Sequence, residues 1–173
     1  QEAQAGSFQG LLGSRASRVR LYVGKLIMLV LLTTLSTGLA VGTLVIGVKY
    51  GLGIPLALPP FIFGGIIVEL AAIPLAVFHL WISLAFGMGP SIGVGGIGLL
   101  LGALSLTSLG DGYWHYLPWG WTARFAMVPG ACYYYGIIPK LQPALSIAGV
   151  FLLITTAGGL IWFEYWEGRK VYQ

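Results

Sequence analysis

Long apolar runs separated by short breaks dominate this chain. Four of them reach the length of a membrane span, at about 26–48, 61–86, 91–109 and 143–163. A spanning helix needs about 20 apolar residues, because each residue rises about 1.5 Å and the hydrocarbon layer is about 30 Å thick. The period-two alternation of a membrane barrel is absent, so helices are predicted. The fold class that follows is all-α: a polytopic membrane helix bundle with four transmembrane helices in this chain.

The breaks predict the topology. Arg15, Arg18, Arg20 and Lys25 precede the first span, and Arg169 and Lys170 follow the fourth. An even number of spans puts both groups on one side, and the positive-inside rule makes that side the cytoplasm. Lys49, Arg124 and Lys140 then fall outside. A tight inner turn is expected at Gly87-Met88-Gly89-Pro90 and an outer one at Leu58-Pro59-Pro60. The outer segment 110–142 holds Tyr113, Trp114, Tyr116, Trp119, Trp121 and Tyr133 to Tyr135, broken by Pro118, Pro129 and Pro139. Tyr and Trp suit the interface because each joins an apolar body to a polar tip. This segment is expected to form one or two short helices dipping into the outer leaflet as a re-entrant helical hairpin, Trp119–Val128 being the main one.

Composition sharpens the reading. The chain is 57% hydrophobic and 8% charged, whereas a soluble domain is about a quarter charged. Its solvent is therefore lipid, and the expected location is the cell (plasma) membrane, multi-pass, with both ends of this chain cytoplasmic. The net charge of +4 does not indicate nucleic acid when basic residues flank spans. The single cysteine, Cys132, makes no internal disulfide and has no charged neighbour to activate it. The chain begins at Gln1, and residues 1–20 hold no signal-peptide core. The start of the protein is expected upstream.

Few residues offer chemistry. Gly93-Val94-Gly95-Gly96-Ile97-Gly98 has the spacing of a dinucleotide fingerprint, but it opens a span rather than following a strand. Close helix packing is the reading preferred here, as for Gly38/Gly42 and Gly98/Gly102. Glu69 sits well inside the second span, where a carboxylate is costly. It either lines a substrate path or bonds to a span that this chain lacks. His79 lies about 15 Å further along, so the two form no pair within one helix, and it is expected near the inner interface. Asp111 and His115 are four apart, but two ligands are too few for a structural zinc site. A polar loop anchor is expected instead, and no metal site. No nucleophile–base–acid set and no phosphate-binding loop is present, so no catalytic residue is assigned.

Residues 1–25 are read as a cytoplasmic amphipathic helix and basic lead-in, and 26–173 as the transmembrane domain. Ala5, Phe8, Leu11 and Leu12 recur at helical spacing, with Gly13 as a stop. Such a helix is either a surface anchor or a docking element for a cytoplasmic partner.

Three stretches carry a resemblance. Glu2-Ala-Gln-Ala-Gly6-Ser-Phe8-Gln9-Gly-Leu-Leu12, with Ser17-Arg18 and Tyr22-Val-Gly-Lys25, resembles the cytoplasmic stretch between the second and third spans of ABC-2 type permeases. His79-Leu-Trp81-Ile-Ser-Leu-Ala-Phe86 before the glycine-rich span, and Trp114-His-Tyr-Leu-Pro118-Trp119-Gly-Trp-Thr-Ala-Arg124, are similar to later segments. The whole looks most like the permease subunits of lantibiotic-immunity and bacitracin-type exporters, departing from them at Gly87-Met88-Gly89. The resemblance implies six spans, of which these are the last four. It implies a second permease subunit, as homo- or heterodimer, and a separate ATP-binding-cassette ATPase that binds the ATP, this chain holding no cofactor. Glu2, Gly6, Phe8, Gln9, Leu12, Arg15 and Arg18 would dock the ATPase. Glu69, Trp114, Trp119 and Trp121 would line the path of an amphipathic peptide expelled from the membrane. The alternatives are a membrane-embedded enzyme using His79, Asp111 or His115, and a non-catalytic sensor or assembly subunit.

Overall fold

A computed structural model describes residues 17–166. They are mostly helical, with no strand among them. Ser17 caps the first helix by accepting a hydrogen bond from the Arg20 amide, which satisfies one of the donors orphaned at a helix start. Helix α1 (Arg18–Ile46) runs on through one wider turn (Gly47–Gly51). Helix α2 (Leu58–Phe86) carries Pro59 and Pro60 in its first turn, where a missing amide costs least. Gly87, at φ 94°, reverses the chain directly into α3 (Met88–Ser105). Two single turns, Ser108–Gly110 and Trp114–Tyr116, lead to α4 (Pro118–Ala126) and α5 (Val128–Tyr135). Gly136, left-handed at φ 64°, stops α5, and α6 (Gln142–Tyr165) follows.

Four helices, α1, α2, α3 and α6, are long and apolar enough to cross a membrane. The expected spans agree with them closely, with two informative differences. The first helix begins at Arg18 rather than at 26, so 18–25 belong to the span's own helix. Its start is held by packing: Tyr22 is fully buried against Phe163 near the end of α6, with ring centroids 5.5 Å apart. The third helix ends at Ser105 rather than at 109, because Gly110 folds back onto Ser105. Leu58-Pro59-Pro60 opens α2, and the turn before it is 52–57.

Helix α2 is the hub. It packs against α1, α3, α4, α5 and α6 and holds more buried residues than any other span, among them Ala71, Leu75 and Val77. Helix α1 lies outside it and buries only Tyr22. Leu31, Leu35 and Leu39 on α1 are each more than 60% exposed, which is tolerable only where the surroundings are apolar. One apolar core gathers Trp114, Trp121 and Phe125 over Ala71 and Ala144. A second, at the other end, gathers Tyr22, Leu84 and Phe163. Arg18 donates to the Glu164 carbonyl at 3.0 Å and also to that of Trp166, so both ends of the described chain meet at one end of the bundle.

Candidate functional site: the aromatic cap and the Glu69 groove

The cap is built on missing side chains. Trp119 enters where α3 presents Gly98 and Gly102, one turn apart. A Cβ on Gly98 would lie 2.0 Å from the Trp119 ring nitrogen, and one on Gly102 would lie 3.0 Å from its carbonyl. The ring reaches His79 on α2, at 6.2 Å between centroids, and Phe78, at 6.3 Å. His79 is thus half-buried between α3 and α4, with Nδ1 3.3 Å from the Ser91 hydroxyl. Trp121 is fully buried, and its Nε1 donates to the His115 carbonyl at 2.8 Å. Trp114 is buried edge-on to Phe125 and stacked on His115. The exposed aromatics of the segment are Tyr113, Tyr116 and Tyr133 to Tyr135.

Arg124 ties the cap down. Its Nε donates to the Ser105 carbonyl at 2.7 Å and its Nη2 to the Thr107 carbonyl at 3.4 Å. Ser105 is the last residue of α3, where carbonyls lack a helical partner and a cation also suits the helix dipole. The same Nη2 pairs with Asp111, and the guanidinium lies 5.8 Å from the centroid of the Trp114 ring. Asp111 therefore anchors a loop. No group of three or more metal-ligating side chains occurs among the described residues.

Glu69 lies in a different place, between α1 and α2. Thr33, Thr34 and Thr37 on α1 surround its carboxyl. Thr33 Oγ1 is 2.7 Å and Thr34 Oγ1 3.1 Å from Oε1, and Thr37 Oγ1 is 2.9 Å from Oε2. The partner is a span of this same chain, which corrects the alternative of a bond to an absent one. The three threonines share one face because their spacing of one and four closes a helical turn. Sequence reasoning passed over them, although paired threonines in an apolar run were the available signal. The carboxyl lines a groove of about 500 Å³ with Thr34, Gly38, Gly42, Ile62 and Leu70. A second cleft of about 490 Å³ opens on the other side of the α1–α2 contact, lined by Ala40, Phe61, Gly64, Met127 and Tyr134.

The expected path residues therefore divide. Trp114, Trp119 and Trp121 form the cap, while Glu69 stands apart in its groove. Of the expected docking residues, Glu2, Gly6, Phe8, Gln9, Leu12 and Arg15 lie outside the described residues. Arg18 is engaged with the end of α6. No family model, curated protein or solved structure matches this chain.

Proposed function

We propose that this chain is a permease subunit of an ATP-driven exporter, working with a separate ATP-binding-cassette ATPase and a second permease subunit in the plasma membrane. Both of its ends are cytoplasmic, and the full subunit has six spans. The observation that carries the reading is the seating of the outer aromatic segment. Helices α4 and α5 have nine and eight residues, about 13 Å and 12 Å of helix, too short to cross. Trp119 nevertheless reaches Gly98, about 10 Å below the outer end of α3. Such a pair is the re-entrant element of an exporter that meets its substrate in the outer leaflet. Because Trp114 and Trp121 are buried, the substrate-facing surface in this reading is that of the exposed tyrosines around Tyr116 and Tyr134.

The transported class is an amphipathic, lantibiotic-like peptide or a similar lipophilic molecule. Closure of the ATPase pair would push the coupling helix around Phe8 and Leu12 and shift the spans. The test is co-purification. The tagged complete gene product, extracted in mild detergent, should bring down an ATP-binding-cassette subunit whose ATP hydrolysis rises with a cationic peptide. Phe8→Asp with Leu12→Asp should abolish that association and leave membrane insertion intact. A well-folded preparation without an ATPase would end the exporter reading.

A further inference from the structure

An acidic side chain within a span is costly, and it calls for a partner of opposite charge. Glu69 has no cation partner among the described residues. What it has are the hydroxyls of α1, Thr33 and Thr34 at Oε1 and Thr37 at Oε2. These fix the carboxyl in place from one side and bring no charge to it. Helix α1 has no charged residue between Lys25 and Lys49, which stand about 12 Å and 18 Å along the helix from Thr33 and Thr37 respectively. On α2 the next basic group is His79, turned toward Ser91 and Trp119. Helices α3 and α5 carry no charged residue, and α6 carries only Glu164. On α4, Arg124 is held by Ser105, Thr107 and Asp111.

The other side of the carboxyl is the groove. Its volume of about 500 Å³ is that of a site for a small organic molecule. Glu69 is its one charged residue, and the Thr34 and Thr37 hydroxyls are its other polar side-chain groups. Ile62 and Leu70 on its rim are both more than half exposed, so it opens to lipid. Absent side chains make the space. Gly38 and Gly42 line it, and a Cβ on either would meet nothing within 4 Å. Glycines that serve helix contact look different here: a Cβ on Gly65 would lie 3.1 Å from Val41, and one on Gly98 would strike Trp119. The cleft on the other flank of the α1–α2 contact has no charged residue in its lining.

We propose that the α1–α2 groove binds a lipophilic organic cation, a compact apolar body whose single positive charge lies against Glu69. Opposite charges attract far more strongly in a medium of low dielectric than in water. The apolar walls take the body of the ligand, and the threonines hold the carboxyl ready for its charge. A hard metal ion fits the groove poorly, because it takes about six oxygens or more and only the carboxyl and two hydroxyls line the space. Binding needs neither an ATPase nor transport, so the inference stands apart from the exporter reading.

The test uses the purified full chain in micelles of a neutral detergent, with helix content checked by circular dichroism. Tetraphenylphosphonium is the probe, and tetraphenylborate, of the same shape and opposite charge, is the control. In equilibrium dialysis the phosphonium should bind saturably at a single site, above its partition into empty micelles, and the borate should not. Glu69→Gln removes the charge and keeps an oxygen for the threonines. It should weaken binding by about 30-fold or more, the low end for losing one partner of a desolvated charge pair. Gly42→Leu keeps the carboxyl and fills the groove, and its Cβ has open space in the fold. Saturable binding should be lost there too. The unaltered chain decides first, so the result does not rest on a variant folding: absence of saturable phosphonium binding, or equal binding of the two ions, would overturn the proposal. So would binding that is unchanged in either variant.

Discussion

On one side of α2, Trp119 fills a slot that glycines leave open, and the loop above it closes backbone against backbone. On another side, α1 touches α2 through threonine hydroxyls and small residues, with an open cleft on each flank. The cap is enforced by shape, since Gly98, Gly102, Gly110 and Gly120 all have neighbours where a Cβ would go. Gly38 and Gly42 on α1 have nothing within 4 Å. The same small-residue spacing thus seats a ring in one helix and lines an open groove in the other. Spacing licenses close approach, and only a partner at that height uses it.

The contrast predicts a graded set of effects on stability, read by denaturant unfolding in micelles. The largest falls on the cap. A Cβ at Gly110 would meet Ser105 Cα at 2.4 Å and its carbonyl carbon at 2.7 Å, and two backbones cannot rotate apart as side chains can. Gly110→Ala should cost about 3 kcal/mol, the upper range for overpacking. A loss within error of zero would show that the cap is not closed this way.

Next comes Arg124→Met, which keeps the stem and removes the donors to Ser105 and Thr107. It should cost about 2 kcal/mol, as for hydrogen bonds from a charged group. Asp111 is 64% exposed, so Asp111→Asn should cost under about 1 kcal/mol. Equal losses in the two variants would mean that the ion pair, not the end of α3, holds the cap.

At the other end of α1 the sign reverses. The Tyr22 hydroxyl is buried with no hydrogen-bond partner among the described residues and fits where Gly159 lacks a side chain. Tyr22→Phe should stabilise by about 1 kcal/mol, because an unsatisfied buried donor carries a desolvation cost of that order. A clear destabilisation would show that the hydroxyl has a partner.

The smallest effect belongs to the α1–α2 contact. Thr37→Val should cost about 0.6 kcal/mol, the usual worth of one hydrogen bond between membrane helices. A loss as large as that of Arg124→Met would erase the difference between the two regions.

Much of the helical layout was legible in the sequence. The four spans, the turn at Gly87 and a helix near Trp119–Val128, observed as Pro118–Ala126, follow from apolar run length and from Pro and Gly positions. The packing role of Gly98 and Gly102 was legible too, but not that Trp119 is what they receive. In the candidate sites, Glu69 stood out by its charge, while its partners did not. Thr33, Thr34 and Thr37 lie more than 30 positions away, and a hydroxyl within an apolar run looks the same whether or not it faces a carboxyl. Arg18 read as an interaction residue, yet its acceptors sit about 150 positions later on α6.

The sequence by itself determined that the chain is a set of membrane-length helices, because hydrocarbon leaves the backbone no hydrogen-bond partner outside its own segment. Only the tertiary structure decided which helix faces meet. Lipid is as apolar as the side chains it surrounds, so composition ranks no face above another. The pairings rest on shape and a few hydrogen bonds between distant segments: Trp119 on Gly98, Arg124 on Ser105, and three threonines around Glu69.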